Sequence, residues 1–80
     1  MQDAEIVSEI HKLMEQEHSM ERSHEGSEMS AEEQERLHRL EETLDQCWDL
    51  LRQRRARRAA GQDPDSAEVR SKDVVEGYRQ

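Results

Sequence analysis

Phenylalanine is absent from this 80-residue chain, and Trp48 and Tyr78 are its only aromatic side chains. Without aromatics interleaved among basic residues, there is no platform on which single-stranded bases stack. Cys47 is the single cysteine, which excludes an internal disulfide and fits a reducing compartment. Gly26, Gly61 and Gly77 are far apart, so no glycine-rich phosphate loop can form, and zinc-finger spacing is missing too. The few serines stand at helix ends, in turns or near the C-terminus, with no nucleophile motif around them. No apolar run approaches the ~20 residues of a membrane span. The N-terminus has neither a basic n-region nor an apolar h-region, so no secretory signal is expected. These absences predict a cytoplasmic protein that is not an enzyme, binds no cofactor or metal and does not enter a membrane.

Positive charge is also scarce and unevenly placed. The formal net charge is −8, so the chain as a whole is repelled from nucleic acid, and only a local patch could bind it. Residues 1–51 carry 15 acids against 4 bases, residues 52–60 carry five arginines and no acid, and residues 61–80 carry five acids against three bases. With 40% charged and 31% apolar residues, the composition approaches that of disordered chains. Order must therefore come from periodicity.

That periodicity is present. Ile6, Ile10, Leu13, Glu17, Met20 and His24 alternate by four and three, widened by Val7 and Met14, and predict a helix over 3–24. Asp3 and Glu5 suit its positive N-terminal end. Residues 25–30 break the pattern: Gly26 can end a helix in the left-handed conformation, and Ser30 with Glu33 spells a capping box. A second helix is expected over 31–60, with a seam of Leu37, Leu40, Leu44, Cys47 and Leu51 flanked by Trp48 and Leu50. Gly61 is placed to cap it, and Asp63-Pro64 prevents continuation. A short turn between amphipathic helices favours antiparallel packing. The fold class is thus all-α: an antiparallel two-helix hairpin over 1–61 with a polar C-terminal tail over 62–80. The apolar seam is too small to make an isolated hairpin more than marginal. Dimerisation into a four-helix bundle is the expected remedy.

The helices differ in length. A hairpin turning near residue 27 sets residue 4 level with about residue 51, so 52–60 overhangs the first helix. Leucine gives way to arginine there. The tail, QDPDSAEVRSKDVVEGYRQ, is polar apart from Val69, Val74, Val75 and Tyr78. It is either flexible or folded back on the overhang.

Three constellations invite chemistry. The cluster Arg52, Arg54, Arg55, Arg57 and Arg58 reads either as a patch for phosphate or an acidic partner, or as charge-matching. The second reading has Asp3, Glu5 and Glu9 brought near by antiparallel packing, Asp63 and Asp65 following in sequence, and cations suiting a helix C-terminus. The Glu-x-x-His pairs Glu15/His18, Glu21/His24 and Glu35/His38 have the spacing of di-iron bundle ligands. Most of them lie off the seams, which makes solvated surface pairs the leading reading. Cys47 is expected to pack as a small hydrophobe, and Trp48 is either core or an interface anchor.

The run LDQCWDLLRQRRARRAAGQDPD at 44–65, followed by Val69-Arg70 and Val75-Glu76-Gly77-Tyr78, resembles a family of short, mainly actinobacterial proteins known as domain of unknown function 2630. The resemblance spans nearly the whole chain. It implies a small bacterial protein and supplies no activity, cofactor or catalytic residue. The functional expectation is a non-enzymatic protein-protein interaction or self-assembly module. Its best contacts are Trp48, Leu51, Arg52, Arg54, Arg55, Arg57 and Arg58, and a homodimer is favoured beside an unidentified protein partner. The alternatives are a nucleic-acid-associated protein using the arginines and a metal-binding bundle using the Glu-x-x-His pairs.

Overall fold

A computed structural model describes residues 2–23 and 28–77, and these are all-helical. The first helix, α1, spans Asp3–Ser23 and the second, α2, spans Ala31–Ala59. Glu5 reaches back to accept from the Gln2 amide, which seeds α1. At the start of α2, Ser30 accepts from the Glu33 amide while Glu33 accepts from the Ser30 amide, each at 3.2 Å. This reciprocal pair satisfies two amides that a helix start leaves without partners. The expectations for His24 and Gly26 lie outside the described residues.

The end of α2 is a Schellman turn. Gly61 adopts φ +73°, its amide donates to the Arg58 carbonyl, and the Gln62 amide donates to the Arg57 carbonyl at 2.7 Å. Asp63 then caps a short 3-10 turn at Pro64–Ser66 by accepting from the Asp65 amide.

The C-terminal segment corrects the two-helix expectation. A third helix, α3, spans Lys72–Gly77 and packs on α2, as does the 3-10 turn. Ser71 starts α3 by accepting from the Val74 amide, and Val75 is buried. The described part of the tail therefore lies along α2. Its cause is polar as much as apolar: only Val75 of the apolar tail residues is buried, Val69 and Val74 are exposed, and Tyr78 lies outside the described residues.

Helices α1 and α2 pack on each other: Asp3 meets Arg54 and Arg58, and Glu17 lies beside Glu41 and Leu44. Ile6, Ile10, Leu13, Leu44, Leu50 and Leu51 form the core, with Val7, Leu40, Cys47 and Ala67 packed against it. The expected seam is thus largely where the apolar burial occurs. Two of its flanking members depart from it: Met14 and Trp48 are exposed, at 46% and 39%. Two charged residues take the opposite course, Asp49 and Arg54 being 2% and 4% exposed. Burial of a charge is tolerated when partners replace its water: Arg70 of the tail bonds Asp49, and Asp3 of α1 together with Asp65 bonds Arg54.

Candidate functional site

The segment singled out from sequence, 44–61, divides by helix face. Side chains four and three residues apart share one face of a helix. On α2, the row Leu40, Leu44, Cys47 and Leu51 packs in the core shared with Ile6, Ile10 and Leu13 of α1, and Leu37 extends the row as a half-buried residue. A second row, Glu42, Gln46, Asp49 and Gln53, meets the tail. A third, Glu41, Asp45, Trp48, Arg52 and Arg55, faces outward.

The tail-facing row is a ladder of polar contacts. Gln53 donates to the Glu68 carbonyl at 2.8 Å and to Asp49 at 3.0 Å. Arg70 grips Asp49 with two bonds, Nε to Oδ2 at 2.9 Å and Nη2 to Oδ1 at 2.5 Å. This planar fork matches the carboxylate and is the strong form of such a pair. Gln46 donates to the Arg70 carbonyl at 3.1 Å, and Lys72 lies 3.5 Å from Glu42. The Arg70 hydrogen bonds hold the Asp49 carboxyl below its ordinary range, against the opposing effect of burial.

A second knot closes the end of the molecule. Arg54 donates to Asp3 at 2.5 Å, to Asp65 at 2.9 Å and to the Pro64 carbonyl at 3.3 Å. Arg58 also donates to Asp3. One guanidinium therefore ties the start of α1, the end of α2 and the turn after it. Hydrogen bonds from Arg58 and then Arg54 pull the Asp3 carboxyl from 3.8 to about 2, and Asp3 in turn keeps Arg54 firmly protonated.

The seven candidate contact residues separate accordingly. Leu51 is buried in the core and Arg54 inside the knot, so neither offers a surface to a partner. This corrects their inclusion: Leu51 faces the core between α1 and α2, and the carboxylates of Asp3 and Asp65 let Arg54 leave water. Arg58 is committed to Asp3. Trp48, Arg52 and Arg55 remain exposed and Arg57 half-exposed. The basic patch is therefore smaller than five arginines, and charge-matching accounts for Arg54 and Arg58.

Trp48 lines a cleft of about 270 Å³ with Glu17, Glu41, Leu44 and Asp45. Partial burial, then the charges of Glu21 and Glu41, push the Glu17 carboxyl up. Cys47 lines an apolar recess of about 210 Å³ with Ile6, Thr43, Gln46, Leu50 and Val69. Burial and then Glu9 push its thiol up, which opposes the thiolate needed for nucleophilic chemistry. Among the described residues, the Glu-x-x-His side chains do not converge. Glu35 pairs with Arg39, and His38 stands 3.4 Å from Glu42 on the same helix. Among the described residues no three His, Cys, Asp or Glu side chains gather as a metal site. No helix among them is long and apolar enough to cross a membrane.

Fold and site together define a small all-helical protein whose second long helix is strapped by the chain's own C-terminal segment. The chain belongs to the family described as "Protein of unknown function (DUF2630)", which it matches over residues 2–80. It is similar to an uncharacterized protein of Mycobacterium bovis and to uncharacterized proteins of two Mycobacterium tuberculosis strains. Each is 48% identical over 77 residues, covering 95% of this chain and 88% of the relative. No solved structure matches the chain.

Proposed function

We propose that this protein is a non-enzymatic interaction module. Its two long helices form an antiparallel hairpin, and the hairpin self-associates through the Trp48-bearing side of α2, two copies making a four-helix bundle. The observation that carries this reading is the position of Trp48. The largest apolar side chain of the chain is 39% exposed at the middle of α2's outward row, while the tail closes a different face of the same helix. Tryptophan in such a place is characteristic of interface anchors. Met14 adds to the exposed apolar surface from α1, one turn before Glu17 of the Trp48 cleft. The limited core supports the same reading, because a small domain gains stability by sharing apolar surface with a copy of itself.

Light scattering or sedimentation over a rising concentration series tests it. The wild-type protein is expected to pass from monomer to dimer in the micromolar range, and Trp48→Ala to remain a monomer with its helical circular dichroism retained. A wild-type monomer at high micromolar concentration overturns the proposal.

A further inference from the structure

The outward row of α2 has an order as well as a composition. Glu41 and Asp45 precede Trp48, and Arg52 and Arg55 follow it, at steps of four, three, four and three. Glu41, Trp48, Arg52 and Arg55 are exposed and Asp45 is half-buried. Among the described residues, neither Arg52 nor Arg55 has a carboxylate at ion-pair distance. On the tail-facing row of the same helix, Asp49 is matched by Arg70 and Glu42 by Lys72.

Resting on the self-association reading above, we propose that a second copy of this chain docks on this row with its α2 antiparallel. The twofold axis passes beside Trp48, so that Arg55 of each copy faces Glu41 of the other.

A twofold axis perpendicular to two antiparallel helices reverses sequence order across the interface. A residue a given number of places after Trp48 then meets the residue the same number before it. Arg55 stands seven places after Trp48 and Glu41 seven places before. Arg52 stands four after and Asp45 three before, a mismatch of one residue, or about 1.5 Å of helix rise, which a flexible arginine spans. Acid therefore meets base on both sides of a central pair of indoles. A parallel pairing in register sets Glu41 on Glu41 and Arg55 on Arg55, and like charges across an interface are strongly unfavourable. The order of charges thus selects one orientation. The cleft beside Trp48 fits the same partner. It gathers Glu17, Glu41 and Asp45 around one indole, and a guanidinium brought in by the second copy offsets their mutual repulsion. An arginine over an indole face adds a cation–π attraction.

Charge reversal tests the register. Arg55→Glu and Glu41→Arg each set like charges opposite one another at two symmetry-related places. Each is expected to weaken the dimer about tenfold or more. The chain carrying both substitutions re-creates the attraction in the antiparallel register, and its dissociation constant is expected to return to within about threefold of wild type. In a parallel dimer the double variant stays repulsive. Circular dichroism confirms that each variant remains helical, since both positions are exposed. A wild-type dimer that the single reversals leave unchanged, or that the double variant fails to restore, overturns this register while leaving self-association standing. A wild-type monomer overturns both.

Discussion

Two faces of α2 carry similar side chains and are treated in opposite ways. On the tail side, Asp49 and Gln53, with Gln46 above them, are bonded to Arg70 and to backbone carbonyls of the chain's own C-terminal segment. On the outward side, Glu41, Arg52 and Arg55 stand exposed around Trp48. Both rows are charged and both keep the four-three spacing. What separates Asp49 from Arg52 and Arg55 is whether the chain itself supplies a carboxylate–guanidinium partner. A matched row is architecture. An exposed row with ordered charges is where function has room to act.

Removing the Asp49 carboxylate probes that difference most strongly. Asp49→Ala takes the counter-charge from Arg70 and a bond from Gln53 at a site where Asp49 is 2% exposed. Breaking a buried pair on one side is more damaging than never having had it. Because the Arg70 side chain is 37% exposed, water offsets part of the loss, and a cost of about 2–3 kcal/mol is expected. Urea denaturation followed by circular dichroism measures it. A change below about 0.5 kcal/mol, the range of ordinary surface substitutions, would show that the tail row is no more structural than the outward one.

The amphipathic seams, the capping box and the stop after residue 60 were legible because each is a local pattern with a local cause. The strap was not. Arg70 sits 21 residues from Asp49, and no periodicity links residues that far apart, whereas the meeting of Asp3 with the arginine cluster is expected from antiparallel packing. A signal did exist: Gln46, Asp49 and Gln53 form a polar row at core-like spacing beside the leucine seam. Its polarity alone does not distinguish it from solvated surface. The sequence leaves the tail either flexible or folded back, because polar docking depends on partner geometry and leaves no hydropathy trace. Trp48 reads from sequence as either core or an interface anchor, and its exposure follows from lying beside the leucine seam rather than in it.

Acid separates the two faces by sign. Asp3 and Asp49 have lowered carboxyl pKa values, Asp3 to about 2. Their contribution is complete above the ordinary aspartate value of 3.8 and is lost as pH falls toward 2. Glu17, beside Trp48, is shifted upward from 4.5. Its charged form opposes folding, so stability rises as pH falls toward 4.5 and Glu17 takes up its proton. Thermal unfolding across pH is therefore expected to show a shallow rise on mild acidification, then a steep fall below about pH 4. In Glu17→Gln the rise disappears and the fall remains. A stability that falls steadily from neutral pH in the wild type would contradict the opposed signs.

The smallest effect is expected on the outward row itself. Arg55 is exposed and lies near the end of α2, so Arg55→Gln loses only its attraction to the helix dipole and a little stem packing. Glutamine forms helix about as readily as arginine. Measured by urea denaturation at concentrations dilute enough to keep the chain monomeric, the change is expected to stay within about 0.5 kcal/mol. The contrast with Arg54, one residue earlier, makes this informative. Arg54 holds Asp3, Asp65 and the Pro64 carbonyl, and adjacent residues on a helix point about 100° apart, so identical side chains here serve different faces. A cost for Arg55→Gln comparable to that of Asp49→Ala would mean that the outward row is held within the monomer. Its ordered charges would then be architecture rather than a surface kept for a second copy.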